Sequence, residues 1–131
     1  MASTKVVAIV AAHCARIADG SGLSRANAIS ARQLVRILEV MHRDPELREP
    51  FREALAVPGD SGTLKKRMRD LSEVVRAKTG TLSGTSALSG YVRNAGGRWL
   101  AFALLFDRCD IGAVRRIQDD FCRAVAKAEL D

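Results

Sequence analysis

The chain has 131 residues, a formal net charge of +6, and 47% hydrophobic residues against 27% charged ones. This length suits one compact domain, and the composition is typical of a globular protein, so an intrinsically disordered chain is excluded. No apolar run approaches the length of about 20 residues that a membrane-spanning helix needs. Cys14, Cys109 and Cys122 are odd in number and share no CxxC spacing, so neither a disulfide framework nor a metal site is indicated, and no cofactor is predicted.

The chain opens with an apolar segment and a loop. Residues 6–12 are all apolar and predict a strand or the start of a buried helix, with a signal-peptide remnant as the alternative. This segment has neither a strongly basic start nor a small-residue cleavage site, so no clear signal peptide is predicted. Residues 19–24 contain two glycines among small polar side chains, which predicts an irregular loop.

Two helices are predicted after this loop. Ser30 is a candidate N-cap for a helix that continues to about His42, because apolar residues recur at helical spacing through the segment. An Asp-Pro pair at 44–45 predicts the start of a second helix that ends near Ala56. A short basic helix or turn is then predicted over residues 62–69.

The carboxy-terminal half predicts an antiparallel sheet, because apolar residues there recur with a period of two and glycines mark the corners. The three predicted strands are 74–82, 88–94 and 99–106. Gly90 indicates a bulge or a point where another backbone approaches closely. Residues 94–97 have the composition of a turn that joins the last two strands.

The third predicted strand is apolar at every position, which indicates coverage on both faces and a place in the middle of the sheet. Asp110 then predicts the N-cap of a final helix that lies across the sheet. Its predicted apolar stripe consists of Ile111, Val114, Ile117, Phe121 and Val125.

The positive charge alone leaves several partners open. A nucleic acid, an anionic envelope polymer or a substrate with a free carboxylate would each complement it. The densest basic group lies at residues 65–69, but the chain has only six aromatic residues for stacking on bases, so nucleic-acid binding is not predicted. His13 and His42 have no metal-ligand or acid–base partner at a suitable spacing and are interpreted as structural or surface residues.

A lysine, a hydroxyl residue and a glycine follow one another near the end of the first predicted strand. Lys78 would supply a compact positive charge, and Thr79 would donate a hydrogen bond to a carboxylate. Gly80 would let a ligand approach the backbone. The backbone N–H of Thr81 would then donate to an oxygen that gains negative charge during acyl transfer. These four residues are the predicted substrate-binding site.

The surroundings of this motif resemble low-molecular-mass penicillin-binding proteins with D-alanyl-D-alanine carboxypeptidase and endopeptidase activity. The similar segments are residues 19–25, 62–64 with Arg67, 78–82 and 89–91. The resemblance extends from about residue 18 to 106 and corresponds to the carboxy-terminal part of the family only. It implies an α+β fold, an antiparallel sheet with flanking helices that is a partial serine transpeptidase and β-lactamase-like fold. Residues 1–131 would then form a single domain, the carboxy-terminal portion of such an enzyme.

That family uses a Ser-x-x-Lys nucleophile motif, a Ser-x-Asn element and the Lys-Thr/Ser-Gly strand. The sequence contains only the third. Residues 63–66 imitate the first motif with a threonine, and residues 24–27 have one residue too many for the second. Truncation upstream of the loop at 19–24 would account for both losses. Ser21 and Ser24 have no lysine or histidine at a spacing that would activate them, so no catalytic residue is identified.

The resemblance implies a serine-type hydrolase chain that acts on peptidoglycan stem peptides or β-lactams and supplies the Lys-Thr-Gly clamp. Such a chain is expected to be inactive alone, and a complementing chain would have to carry the missing motifs. The alternative is a non-catalytic module that recognises peptidoglycan peptides. The resemblance also implies the periplasm or the cell envelope as the location.

Overall fold

The computed structural model describes residues 16–21 and 23–130. The predicted apolar segment at 6–12, together with His13 and Cys14, lies outside the described residues. The helices are α1 (Ala31–Arg43), α2 (Arg48–Glu53) and α3 (Ile111–Lys127), and short 3₁₀ helices occupy Gly62–Leu64 and Arg69–Leu71. The strands are β1 (Val75–Leu82), β2 (Thr85–Arg93) and β3 (Trp99–Asp107).

The three strands form an antiparallel sheet in the order β1-β2-β3. The α+β prediction is confirmed, and two of the predicted strands agree with the structure to within one residue. The second strand starts three residues earlier than predicted, because Thr85 pairs with both Leu82 and Asp107 at the end of the sheet. A tight turn at Ser83 and Gly84 therefore joins β1 to β2.

In the sheet that the described residues form, β2 is the central strand and β3 pairs on one side, so the predicted middle position of β3 is not borne out there. The apolar run of β3 instead reflects its position between two helical layers. Phe102 faces α3 and contacts the ring of Phe121 at 5.7 Å between centroids, while α1 packs over the opposite face of β3. A continuous apolar strand thus indicates two covered faces but does not reveal how many neighbouring strands it has.

Gly90 marks a close approach between β1 and β2. A Cβ atom at this position would lie 2.1 Å from the carbonyl oxygen of Arg76 and 2.7 Å from Cα of Ala77. Gly90 pairs with Ala77 on one side and with Phe102 on the other, and neither pairing has an inserted residue. The predicted close approach is therefore present, and the alternative prediction of a bulge is wrong.

The main core lies between α3 and one face of the sheet. Its buried members are Leu64, Met68, Leu71, Val75, Ala77, Leu88, Val92, Phe102 and Cys122. Burial raises the pKa of the Cys122 thiol to about 12, with a smaller contribution from the nearby Asp119 carboxylate. Cys122 is therefore an uncharged core residue at neutral pH.

The predicted stripe of α3 is wrong at Ile117, which is 53% exposed. Phe121 is 36% exposed but contacts Phe102 of the sheet, and Val114, Gln118 and Cys122 are buried against the sheet. Gln118 tolerates this central position because its amide donates to Ser86 Oγ at 3.1 Å and accepts from Arg67 at 3.0 Å. Asp110 caps the helix as predicted, accepting from the Ala113 N–H at 2.6 Å.

On the other face of the sheet, α1 begins with the predicted cap. Ser30 and Gln33 form a reciprocal capping box, with bonds of 3.2 Å and 2.8 Å. The buried hydroxyl of Tyr91 donates to the Leu38 carbonyl at 2.6 Å and ties α1 to β2.

The second helix begins later than predicted. Asp44 accepts hydrogen bonds from the N–H groups of Glu46 and Leu47, at 2.9 Å and 3.0 Å, so it stabilises a turn. The helix proper starts only at Arg48 and has six residues.

Candidate functional site

The two edges of β1 have different partners. Val74 O accepts from Arg93 N at 2.7 Å, so the even-numbered residues of β1 bond to β2. Ala77 instead bonds through its N–H and its C=O to Ala56, at 3.1 Å and 3.0 Å. Because bonding direction alternates along a strand, the N–H and C=O groups of Thr79 and Thr81 point to this same open edge.

A groove of about 680 Å³ runs along this open edge. It contains all four of the predicted binding residues, together with loop residues and the 3₁₀ segment. Its lining includes Ser21, Thr63, Lys78, Thr79, Gly80 and Thr81. Side chains alternate in direction along a strand, so the Lys78 side chain lies on one face of β1, as does position 80, while the Thr79 and Thr81 side chains lie on the other face. The groove contacts residues of both faces because it runs along the edge of the strand.

Lys78 is an exposed cation in this groove. Its Nζ donates to the Thr79 carbonyl oxygen, at the open edge of the strand. Among the described residues, no carboxylate lies within ion-pairing distance of Lys78. Its charge is therefore not neutralised by the part of the chain that the structure describes.

The hydroxyl of Thr79 forms a short hydrogen bond with the hydroxyl of Thr63. Thr63 belongs to the Gly62–Leu64 3₁₀ helix, whose Leu64 side chain is fully buried. The core thus fixes the segment that holds Thr63 against β1. The sequence indicated that residues 62–64 resemble a family segment, but it did not predict the contact between Thr63 and Thr79, because the two residues are 16 positions apart.

Gly80 and Thr81 complete the strand end. A Cβ atom at Gly80 would meet only the Cβ of Ala87, at 3.5 Å, which is ordinary van der Waals contact. The fold itself therefore does not require glycine at this position, in contrast to Gly90. Thr81 is exposed and pairs with Ser86 in the sheet register.

The loop between Arg16 and Ala28 contributes Gly20, Ser21 and Leu23 to the lining of the groove. Its ends are joined by two backbone hydrogen bonds between Arg16 and Ala28, at 2.8 Å and 2.7 Å. Asn27 fills the loop interior, accepting from the Ala18 N–H at 2.7 Å and donating to the Asp19 carboxylate at 3.1 Å. Arg25 reaches across to the Ser83 carbonyl at 2.9 Å, which fixes the loop against the β1–β2 turn.

The loop serines have local partners. Ser21 Oγ donates to the Asp19 carboxylate at 3.0 Å and accepts from the Leu23 N–H at 3.2 Å. Ser24 Oγ accepts from the Ala26 N–H at 3.2 Å. Neither hydroxyl has a lysine or histidine partner among the described residues, so both serve the loop conformation.

Charges near the groove are partly paired. Arg67 forms an ion pair with Asp119, with Nε and Oδ1 3.1 Å apart, and both side chains are more than four-fifths buried. This pairing removes the central cation of the basic group at 65–69 from the free surface. No cluster of three or more His, Cys, Asp or Glu suited to a metal ion occurs in residues 16–21 and 23–130.

A comparison with protein families decides the relationship. The model of the D-Ala-D-Ala carboxypeptidase 3 (S13) family matches residues 5–128. The chain belongs to this family. The resemblance drawn from the motif segments is thereby confirmed.

Curated relatives of the S13 chain extend well beyond its length. It is 37% identical over 122 residues to the carboxypeptidase DacB of Mycolicibacterium smegmatis, covering 87% of this chain and 26% of that protein. It is 45% identical over 94 residues to the D-alanyl-D-alanine carboxypeptidase of Actinomadura sp. strain R39, covering 66% and 17% respectively. The chain therefore spans about a quarter or less of these relatives.

Solved structures give the same relationship for the fold. Penicillin-binding protein 4 (DacB) of Haemophilus influenzae superposes with a TM-score of 0.77 at 26% identity, covering 88% of this chain and 28% of that one. The same protein complexed with a β-lactam gives a TM-score of 0.78. The S13 chain thus has part of the penicillin-binding protein fold. None of the helices in its described residues combines the length and hydrophobicity that crossing a membrane requires.

Proposed function

We propose that this chain supplies the carboxylate clamp of a serine-type D-Ala-D-Ala carboxypeptidase that acts on peptidoglycan stem peptides. The observation that carries the proposal is the ammonium of Lys78, which no carboxylate of the described residues pairs, beside the open edge of β1 and in one groove with Thr79, Gly80 and Thr81. A penicillin carries a carboxylate on the ring fused to its reactive β-lactam and would occupy the same clamp. The β-lactam complex of the Haemophilus influenzae relative supports this substrate class.

Lys78 is proposed to bind the terminal carboxylate of the peptide. An ammonium that lacks a carboxylate partner gains a charge-assisted hydrogen bond when a ligand carboxylate arrives. Among the described residues its acceptor is the neutral backbone carbonyl of Thr79, so ligand binding exchanges a neutral acceptor for a charged one. This exchange favours binding of a free peptide end over binding of an uncharged internal segment.

Thr79 is proposed to donate the second hydrogen bond to that carboxylate. A hydroxyl has one proton, so Thr79 is a donor to the ligand only if it accepts from its neighbour. The Thr63 hydroxyl can be that neighbour, because the two oxygens are within hydrogen-bond distance. Thr63 would then act as a positioning residue that keeps the Thr79 proton directed at the groove.

The Thr81 backbone N–H is proposed to stabilise the oxyanion during acyl transfer. In that reaction a serine oxygen attacks the carbonyl carbon between the two D-alanines, and the terminal D-alanine leaves as an amine that has gained a proton. Water then hydrolyses the ester and regenerates the serine. A donor directed at the open edge of β1 stabilises the negative oxygen that forms in each step.

The printed sequence has no Ser-x-x-Lys and no Ser-x-Asn motif. We propose that the nucleophile and its base come from a segment or chain outside this sequence. The isolated chain would then bind but not hydrolyse, since positioning without a nucleophile forms no covalent intermediate. By family, the proposed location is the periplasm or the outer face of the cell envelope.

A second candidate is a binding module that recognises peptidoglycan peptides reversibly and has no catalytic partner. The local partners of the Ser21 and Ser24 hydroxyls favour this candidate for the isolated chain, because neither hydroxyl contacts a base. The two candidates share the clamp and differ only in whether a complementing segment completes it.

The test combines a covalent and a reversible probe. Fluorescent penicillin should leave no covalent label on the chain, and an acylated D-Ala-D-Ala peptide should bind with an affinity that falls at least about tenfold in Lys78→Ala. Lys66→Ala, which removes an exposed cation away from the groove, is the matched control and should bind like the natural chain. Covalent labelling that disappears in Ser21→Ala or Ser24→Ala would contradict the missing nucleophile. Peptide binding that survives Lys78→Ala would contradict the clamp.

A further inference from the structure

A second groove, on the opposite side of the sheet from α3, is strongly basic. Its volume is about 680 Å³, and it lies between α1, α2 and the start of β3. We call it the arginine groove, whose lining includes Arg43, Arg48, Arg52, Arg98, Trp99 and His42, together with the acidic residues Glu39 and Glu49. Except for the adjoining Tyr91, it shares none of its lining with the segments that carry the family resemblance.

The arginines of this groove are mostly unpaired. Its two acidic residues are already engaged, Glu39 with Arg36 at 2.8 Å and Glu49 with Arg52. Among the described residues, no carboxylate lies within ion-pairing distance of Arg43, Arg48 or Arg98. The groove therefore concentrates positive charge that the described chain does not neutralise.

Local contacts hold part of this charge in place. Arg48 Nε donates to the His42 carbonyl at 2.7 Å, which ties its guanidinium to the end of α1. The guanidinium carbon of Arg52 lies 4.6 Å from the centroid of the Trp99 ring, and Arg93 lies 5.8 Å from the same centroid. A guanidinium stacked on an aromatic ring and tied to a neighbour loses less rotamer freedom when a ligand binds.

The environment of His42 supports a positive potential in the groove. Burial lowers the pKa of His42 below its ordinary value of 6.5, and the neighbouring Arg48 and Arg52 guanidiniums lower it further, against the weaker opposite effect of Glu49. His42 is therefore neutral at pH 7 and leaves the guanidiniums as the charged groups.

The number of guanidiniums in the arginine groove favours some anions over others. Several unpaired guanidiniums offer more positive charge and more donors than one carboxylate can use, whereas linked phosphates carry several negative charges and many acceptor oxygens. Two guanidiniums already lie over the Trp99 ring, which disfavours stacking of a nucleic-acid base there. We propose that the arginine groove binds a ligand through a pyrophosphate-type group.

Trp99 offers a direct readout, because it is the single tryptophan of the sequence and lies in the groove. The experiment titrates the full chain with inorganic pyrophosphate and follows Trp99 fluorescence and heat of binding in parallel. Saturable binding with a Kd below about 1 mM is expected. The affinity should fall when salt is raised from about 0.05 M to about 0.5 M, since the Debye length shortens over this range.

The decisive variant is Arg43→Ala/Arg98→Ala, which removes two exposed guanidiniums from the groove. It should weaken pyrophosphate binding at least about tenfold while the thermal midpoint stays unchanged. Lys65→Ala/Lys66→Ala is the matched control, because it removes the same charge from exposed positions outside the groove. A second variant, Arg43→Lys/Arg98→Lys, keeps the charge and should retain part of the affinity.

Three outcomes would overturn the proposal. These are no saturable binding of pyrophosphate, equal losses in the arginine and lysine double variants, and binding to vesicles of anionic phospholipid without binding to pyrophosphate. Lys78 does not line the arginine groove, so Lys78→Ala should leave pyrophosphate binding intact. The proposal is therefore tested independently of the clamp.

Discussion

Val75 and Ala77 in the first part of β1, residues 75–77, are fully buried, whereas Lys78, Gly80 and Thr81 in the second part, residues 78–82, are exposed. The first part packs on the core beneath α3, and its outer edge is closed by the bonds between Ala77 and Ala56. The second part keeps its outer edge open to a groove. One strand therefore carries the packing and the proposed clamp in separate segments, so stability and binding should respond to different substitutions.

The largest effect on stability is expected from Gly90→Ala. The new Cβ would lie 2.1 Å from the Arg76 carbonyl oxygen, so β1 and β2 would have to separate. We expect a loss of at least about 4 kcal/mol in the free energy of unfolding, measured by urea denaturation. Gly80→Ala is the matched control, because its Cβ meets only ordinary contact, and it should leave the urea midpoint nearly unchanged. Equal losses of unfolding free energy in the two variants would contradict the distinction between the two parts of β1.

Leu64→Ala should have the next largest effect, because Leu64 is fully buried in the core and belongs to the segment that positions Thr63. The cavity and the lost burial should lower the free energy of unfolding by about 3 kcal/mol. Peptide binding by the remaining folded fraction should also weaken, since the segment would shift. Unchanged stability would mean that the 3₁₀ segment is not part of the core.

Thr63→Val tests the second part of β1, which carries the proposed clamp. The substitution preserves shape and removes the hydroxyl that contacts Thr79. The free energy of unfolding should change by less than about 0.5 kcal/mol, as for other exposed positions. Affinity for an acylated D-Ala-D-Ala peptide should fall several-fold, and Thr63→Ser should restore most of it. Affinity that is unchanged in Thr63→Val would show that Thr79 needs no orienting partner.

The smallest effect is expected from Asp70→Asn, away from both parts of β1. The hydrogen bonds that Asp70 accepts from Arg123 hold the pKa of the Asp70 carboxyl below its ordinary value of 3.8. A lowered pKa in the folded state contributes stability above the unfolded pKa, and this contribution is lost as the pH falls through the folded pKa. Since the pair is exposed, the loss in Asp70→Asn should stay below about 0.5 kcal/mol near pH 7 and should shrink as the pH falls through the lowered pKa of Asp70. Urea midpoints measured at pH 7 and along an acid series test this.

Local signals predicted much of this architecture. Ser30 and Asp110 cap α1 and α3 because a cap depends on residues within one turn, and that information is contiguous in the sequence. The bounds of β1 followed from the alternation of apolar residues, and those of β3 followed from its continuous apolar run. The turn at 94–97 followed from its composition and closes with a Gly97 N–H to Asn94 carbonyl bond of 2.9 Å.

Errors arose where distant residues decide the outcome. The orientation of α3 depends on Gln118 finding partners in Ser86 and Arg67, and no pattern within the helix reveals them. The position of β3 depends on strand pairing and not on its own apolar residues. At the site, the motif predicted Lys78 to Thr81 on a strand, but the contacts of Thr63 and Arg25 join segments far apart in sequence. The single-domain organisation of residues 1–131 stays a prediction.

The burial of Cys122 on the sheet-facing side of α3 has a practical consequence for following motion of that helix. The thiol has no solvent access and a raised pKa of about 12, so an alkylating reagent cannot reach a reactive thiolate while α3 lies on the sheet. Modification at this position therefore requires transient detachment of the helix, and its rate measures how often detachment occurs. Cys122 thus serves as an inherent probe of helix opening, which peptide mass mapping distinguishes from the other thiols.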